Sequence, residues 1–246
     1  MDLKGKKILV TGASSGIGQA IAVACARKGA IILVNYRGNK SGAEQTLQEV
    51  RRHSQGFVFQ ADLTDEERVR RMFADIAGAV GTIDIVVNNA GDARPGGFFD
   101  NDRWRNQFES IFFSALRVSQ YFLKHATESP LRKIVNISSC YGNVGCGDTG
   151  YIAYSVAKAA LSSMTVELAK MDARVLVNAI APGYTWTPPW ERETSEAEKR
   201  EYESRALIGR FIAADEVAHM VVAVLENDAM TGEVVTIDGG LSLRRF

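Results

Sequence analysis

The sequence predicts an α/β protein, a doubly wound parallel sheet of seven strands with helices on both faces, built as one domain over residues 1–246. Three observations carry this. Short β-branched and aliphatic runs alternate with amphipathic stretches along the whole chain. The short runs are apolar at consecutive positions, as in strands of a parallel sheet covered on both faces. A glycine cluster sits between the first such run and the first helix, and alternation with right-handed crossovers gives an open α/β sheet.

Taken in order, Lys7-Ile8-Leu9-Val10 predicts the first strand and residues 16–28 the helix after it. Ile31-Ile32-Leu33-Val34 predicts the second strand, 41–52 a helix, and Phe57-Val58-Phe59 the third strand. A helix over 65–80 precedes the fourth strand at 83–87, and one long helix covers 102–127. Strands at 133–137 and 173–180 flank a helix over 152–170, and a helix over 214–226 precedes the last strand, 234–237. The least regular stretch is 183–212, with Pro188-Pro189 and a charged run from Glu191 to Arg205. It reads either as a solvated loop and helix or as a substrate lid. The lid is favoured because the stretch follows a strand's C-terminal end, where open α/β sheets bind ligands.

Composition removes several function classes. Apolar residues make up 46% and charged residues 24% of the 246 positions, ordinary for a globular domain. Lys+Arg and Asp+Glu both number 29, so the basic excess of a nucleic-acid binder is missing. No apolar run reaches a membrane span, and no signal segment follows the basic N-terminus. Cys25, Cys140 and Cys146 lack zinc-ligand spacing, and the three histidines, His53, His125 and His219, fit no metal motif. The cysteines read as reduced thiols of a cytoplasmic protein, with a Cys140–Cys146 redox pair as the lesser alternative. No metal is expected.

Gly12, Gly16 and Gly18 follow the first strand and open a helix. Glycine allows the tight turn and the close approach of backbone to a pyrophosphate, which the helix N-terminus then attracts. At the end of the second strand, Val34-Asn35-Tyr36-Arg37 offers no acid for a ribose hydroxyl. Arg37 is placed to pair with a 2′-phosphate, which favours NADP(H) over NAD(H). Ser14 and Asn39 can add hydrogen bonds, and Asp62 can meet the adenine amino group. Tyr154 and Lys158 lie four residues apart on one helix face. An ammonium beside the phenol lowers a tyrosine pKa from about 10 towards neutrality, so that Tyr154 can exchange a proton at physiological pH.

With these in place, the chain resembles the short-chain dehydrogenase/reductases over essentially its whole length. The motifs are Thr11-Gly12-x-x-x-Gly16-x-Gly18, Asn88-Asn89-Ala90-Gly91, Ser138-Ser139, Tyr154-x-x-x-Lys158, Pro182-Gly183 and Thr236-Ile237-Asp238-Gly239-Gly240. Among relatives the pattern looks most like 3-oxoacyl-acyl-carrier-protein reductases. The resemblance implies a Rossmann-type fold and NADPH-dependent transfer of hydride between nicotinamide and a small carbonyl or alcohol substrate. Tyr154 would be the general acid or base, Lys158 would lower its pKa and hold the ribose, and Ser139 rather than Ser138 would bind the substrate oxygen. Ser15 and Ile17 in the glycine turn, Leu63 beside Asp62, and Asn89, Ala90, Gly91, Pro182, Gly183, Thr185 and Thr187 would line the cofactor. A homotetramer, or a homodimer, is the assembly implied. Phe98, Phe99, Phe108, Phe112 and Phe113 are expected to pack helices or to face a subunit.

Two departures stand out. The family carries an asparagine on its long fourth helix that supports a local distortion and a proton relay, and counting from Trp104 places Ile111 there. The Ser139–Tyr154 spacing is also about two residues long, the excess lying in the glycine-rich 142–150 stretch. Both raise the alternative of a cofactor-binding regulatory or scaffold protein with little catalysis. Tyr184, Trp186 and Trp190 offer a flat apolar wall near the lid, or else core or subunit packing.

Overall fold

The computed structural model describes residues 1–124, 131–143 and 146–243. His125, the end of the predicted 102–127 helix, Val144, Gly145 and residues 244–246 lie outside them. The strands are β1 (Lys7–Val10), β2 (Ile31–Tyr36), β3 (Gly56–Gln60), β4 (Ile85–Asn88), β5 (Arg132–Ile137), β6 (Val175–Pro182), β7 (Thr185–Trp186), β8 (Ile212–Ala213) and β9 (Val234–Ile237). The α-helices are α1 (Gly16–Arg27), α2 (Lys40–Arg51), α3 (Glu66–Val80), α4 (Asn101–Gln107), α5 (Ser114–Lys124), α6 (Ile152–Ala169), α7 (Pro188–Glu193), α8 (Glu196–Arg205) and α9 (Ala214–Glu226).

The main sheet has seven strands in the order β3-β2-β1-β4-β5-β6-β9, all parallel. Side chains alternate across it. Ile8 and Val10 of β1, with Ile32 and Val34 of β2, pack under α1 and α9 together with Ile21, Ala22, Val217 and Val221. Leu9, Leu33, Val86 and Ile134 face the other way onto Val69, Phe73, Val118 and Phe122 of α3 and α5. This double burial is why the strands read as continuous apolar runs. Strand order reverses beside β1, so the loops leaving β1 and β4 part and open a crevice at the strands' C-terminal ends.

Three expectations change. The predicted 102–127 helix is interrupted: a π-helical turn, Phe108–Phe113, joins α4 to α5. The 183–212 stretch is more regular than expected, because β7 and β8 pair in parallel and enclose α7 and α8. The sixth strand also runs two residues further, to Pro182, carried by its pairing with Ile237 of β9.

Candidate functional site

The glycine turn after β1 is laced to the loop after β4. Thr11 Oγ1 accepts the backbone N–H of Asn89 at 2.9 Å and of Ala90 at 3.0 Å. Asn89 Nδ2 donates back to the carbonyls of Thr11 and Gly12, at 2.9 and 3.2 Å. Gly12 has φ +61°, and a Cβ there would stand 2.9 Å from Ala90 Cα. At Gly18 a Cβ would stand 2.4 Å from Asn89 Nδ2. Ser15 opens α1 without a side-chain cap and no acid sits in its first turn, so the amides of this helix end keep their donors for another acceptor. Thr187, from beyond β7, approaches the same turn, its Cγ2 lying 3.2 Å from where a Gly16 Cβ would be. Ile17 packs its side chain on the core below.

The end of β2 divides its labour. Asn35 is buried and accepts the Gly12 N–H at 3.2 Å, while its own amide reaches the Phe59 and Ala61 carbonyls. Sequence reasoning passed over this residue; its role is to tie the glycine turn to β3. Arg37 is exposed at the rim. Asp62 Oδ1 is already engaged, accepting from the Thr64 amide at 3.1 Å and the Thr64 hydroxyl at 2.8 Å. Its partial burial alone would raise its pKa; the Thr64 hydrogen bonds and the charges of Arg37 and Arg68 outweigh that and lower it. Asn39 caps α2 through the Gly42 amide at 3.1 Å, so its side-chain oxygen serves the helix. Leu63 is buried in the core, leaving only backbone to face a ligand.

At the far end of the crevice, β5 delivers Ser138 and Ser139, and α6 presents Tyr154 and Lys158. Ser139 Oγ accepts the Tyr141 amide at 3.2 Å and lies close enough to the Tyr154 hydroxyl to pull its pKa down. The lengthened 142–150 stretch therefore does not displace Ser139. Its Gly142 and Gly147 lie against α6, where a Cβ at Gly142 would meet the Lys158 carbonyl carbon at 2.9 Å and one at Gly147 would meet Ser155 Oγ at 2.7 Å. Lys158 is clamped to the tip of β5 at both ends. Its Nζ donates to the Ile137 carbonyl at 2.6 Å, and its own carbonyl accepts from Ser138 Oγ at 3.0 Å. Pro182 and Gly183 close the base, with Gly183 lying so near Asp238 that a Cβ would stand 2.8 Å from its Cα. Thr185 Oγ1 is turned back onto the Gly183 carbonyl at 3.0 Å.

The electrostatics differ from expectation. Burial pushes the Tyr154 phenol up to about 12, against a downward pull from Ser139. Burial likewise brings the Lys158 ammonium down to about 8. The Lys158 Nζ stands 5.7 Å from the Tyr154 ring centroid and spends a donor on Ile137. In this state desolvation outweighs the ion's effect on the phenol.

Ile111 is fully buried and packs with Ala115, Ala157, Leu161 and Tyr154, beneath Gly91. The helix distortion, expected to lack support without asparagine, is present as the π-turn. Ser114 Oγ holds it, donating to the Ser110 carbonyl at 2.7 Å and lying 3.4 Å from that of Ile111. Such turns add one residue to a helix and recur at functional sites.

Above these residues the 183–212 segment closes on an aromatic cluster. Tyr184 meets Trp190 and Tyr202 at ring separations of 5.7 and 5.0 Å, and Trp190 meets Phe211 at 5.1 Å. Tyr141, which sequence reasoning did not single out, joins this cluster to the site. Its ring lies 6.3 Å from that of Tyr154 and its hydroxyl 3.0 Å from the Tyr184 hydroxyl. Its position two residues after Ser139 was the one available signal. No group of His, Cys, Asp and Glu among the described residues could hold a metal ion, and no helix among them is long and apolar enough to cross a membrane.

A seven-stranded parallel sheet in this order, with a glycine turn at its switch point, defines the doubly wound nucleotide-binding class. Comparison with known proteins narrows it. The family model described as enoyl-(acyl carrier protein) reductase matches residues 12–242. The 3-oxoacyl-acyl-carrier-protein reductase of Pseudomonas aeruginosa is 34% identical over 248 aligned positions, covering 98% of this chain and 99% of that protein. Among solved structures, a putative gluconate dehydrogenase from Agrobacterium tumefaciens superposes with a TM-score of 0.90 at 28% identity, covering 98% of this chain and 97% of that one. An actinorhodin polyketide ketoreductase solved with NADPH gives 0.88 at 30% identity, covering 98% of both chains. The chain belongs to the short-chain dehydrogenase/reductase family, and its relatives make it an oxidoreductase of the NAD(P)-dependent ketoreductase kind.

Proposed function

We propose that this protein is an NADPH-dependent carbonyl reductase in which Tyr154 is the general acid, Ser139 orients the substrate oxygen, and Lys158 supports the phenolate. The observation that carries this reading is the convergence of Ser139, Tyr154 and the clamped Lys158 at the sheet end that also bears the glycine turn. The cradle fits a dinucleotide: the α1 N-terminus is uncapped, and no side chain larger than hydrogen fits at Gly12 or Gly18. Gly12, Ser14, Ser15, Gly16, Ile17 and Gly18 would hold the pyrophosphate side. Arg37, Asp62 and Leu63 would serve the adenosine side, with Arg37 selecting the 2′-phosphate, and NAD(H) would bind less tightly. Asn89, Ala90, Gly91, Tyr154, Lys158, Pro182, Gly183, Thr185 and Thr187 would border the nicotinamide half.

When bound, the reduced nicotinamide supplies hydride to the carbonyl carbon. The Tyr154 hydroxyl gives its proton to the oxygen that becomes the alcohol. A phenol near 12 suits this direction, because an alkoxide is a much stronger base than phenolate. Ser139 Oγ donates to the same oxygen and fixes its approach. The Lys158 ammonium lies near enough to stabilise the phenolate until it is reprotonated from solvent. The 183–212 segment serves as the lid of a single domain. The relatives' activity suggests a 3-oxoacyl thioester or another small ketone as substrate. Exposed Phe98 and Phe99 beside α4 fit a subunit contact, with a homotetramer as the assembly. Free, buried cysteines fit a cytoplasmic enzyme.

The alternative of a non-catalytic scaffold rested on Ile111 and the long 142–150 stretch. Neither the intact π-turn nor the Ser139–Tyr154 contact favours it. The test is a fluorescence titration with NADPH and NADH, followed by a carbonyl panel and by Tyr154→Phe. Tighter NADPH binding, turnover by the parent, and a loss of about a thousandfold in kcat with unchanged NADPH affinity are expected. Equal loss of turnover and binding in Tyr154→Phe would count against the acid role.

A further inference from the structure

We infer that Ser138 and Ser162 are positioning residues: their paired hydroxyls fix where Lys158 sits on the tip of β5, and so where its ammonium lies beside Tyr154. The inference rests on the reductase reading above, in which Lys158 supports the Tyr154 phenolate, and it names what holds Lys158 to that task.

Side chains alternate along β5, so Asn136 and Ser138 point the same way, onto α6. On α6, Lys158, Ser162 and Thr165 stand at i, i+4 and i+7 and share one face. The two rows meet in two polar rungs. Asn136 Nδ2 donates to Thr165 Oγ1 at 2.9 Å. About one turn nearer Lys158, the Ser138 and Ser162 hydroxyls lie 2.7 Å apart, and Ser138 Oγ is 3.0 Å from the Lys158 carbonyl. A carbonyl only accepts, and a serine hydroxyl has one proton. Ser138 therefore spends its proton on Lys158, and Ser162 donates to Ser138. The Ser162 bond fixes the Ser138 rotor, and two hydrogen bonds in series reinforce each other.

This rung acts on Lys158 because it closes a short ring. Lys158 Nζ donates to the Ile137 carbonyl at 2.6 Å, while the Lys158 carbonyl is held by the next residue of the same strand. The main chain and the tip of the lysine are thus pinned to adjacent residues of β5. Ser138 and Lys158 are both buried, and the turn at Gly142 packs on the same Lys158 peptide, so bulk water is a poor substitute for a lost partner. Without the Ser138 hydroxyl, Lys158 is held at its tip alone. A misplacement on the order of 1 Å can cost up to about a hundredfold in rate. The Asn136–Thr165 rung joins the same two elements but touches neither end of Lys158.

The test compares Ser138→Ala with Thr165→Val, which breaks the other rung. Both should lower the Tm by roughly 2–4 °C. With NADPH and the best ketone of the carbonyl panel, Ser138→Ala should lower kcat about tenfold and leave the ketone KM within about twofold. Thr165→Val should leave both within about twofold. Ser162→Ala should lower kcat about threefold, and Ser162→Thr, which keeps the hydroxyl, should restore it. The double variant Ser138→Ala, Ser162→Ala should lose no more than Ser138→Ala alone, because Ser162 acts through Ser138. A second arm needs no turnover. On the same reading Lys158 holds the nicotinamide ribose, so NADPH affinity by fluorescence should weaken about fivefold in Ser138→Ala and stay within about twofold in Thr165→Val. Equal losses of kcat and affinity for the two rungs, or none in Ser138→Ala, would overturn the positioning role and leave the reductase reading in place. A parent that binds NADPH but reduces no ketone would overturn the reductase reading, and the affinity comparison would then decide the role of Ser138. A parent that binds no NADPH would overturn both.

Discussion

The two walls of the crevice are built by different means. On the glycine-turn side the surface is backbone: Gly12 and Gly18 leave no room for a side chain, and the Thr11 and Asn89 side chains tie the two loops through main-chain groups at 2.9–3.2 Å. On the lid side the surface is side chain, a cluster of Trp190 of α7 and Tyr202 of α8 with Tyr184 and Phe211, which immediately precede β7 and β8. Backbone walls have little latitude, because a Cβ at Gly12 would stand 2.9 Å from Ala90 Cα. Aromatic walls are held by many small contacts and tolerate rearrangement. On the proposed reading, a constant cofactor would meet the unyielding wall and a variable substrate the adaptable one.

The contrast breaks most sharply at Gly12. Gly12→Ala imposes both a left-handed φ and the Ala90 clash, a strain of about 2 kcal/mol. Nucleotide affinity should fall about a hundredfold, and the Tm should drop by roughly 4–8 °C. Titration and a thermal melt check this, and unchanged affinity would show that the turn can relax. Trp190→Ala sharpens the other side. Removing ring contacts worth about 1 kcal/mol each should raise KM for a carbonyl substrate about tenfold and leave nucleotide affinity within twofold. A matching loss of nucleotide affinity would mean that the two walls are one mechanical unit.

A third effect, on stability alone, lies at the seam between the walls. Lys158 carries a buried charge, and its shift from 10.5 to about 8 corresponds to roughly 3 kcal/mol of destabilisation when charged. Below pH 8 the amine is protonated in both folded and unfolded chains, so that cost is fully present. As pH rises from 8 towards 10.5 the folded protein loses the proton first, and the cost is relieved. Lys158→Met should therefore gain stability relative to the parent at pH 7. Measured by denaturant unfolding, its advantage should shrink by about 2 kcal/mol at pH 9.5. A pH-independent gap would show that burial does not tax the amine.

Much of this site was legible in the chain because it is local. Glycines at a strand-to-helix turn, the i,i+4 pair of Tyr154 and Lys158, and the serine at the end of β5 each follow from spacing and element type. The π-turn was not legible. Its signal in other chains is an asparagine, and here Ile111 stands in the core while Ser114, three residues on, bonds back to the Ser110 carbonyl. Asp62 and Asn39 read as ligand-facing polar residues, yet each spends its side-chain oxygen on a neighbouring backbone amide.

By itself the sequence determined the parallel sheet, its two apolar faces, the glycine turn and the pairing of the residues proposed to move a proton, since periodicity and short-range spacing specify them. Only the tertiary structure decided the proton affinities of Tyr154 and Lys158, the ordering of 183–212 on its aromatic cluster, and the place of Tyr141. Those depend on burial and on partners such as Tyr184, 43 positions away along the chain, which no local pattern encodes.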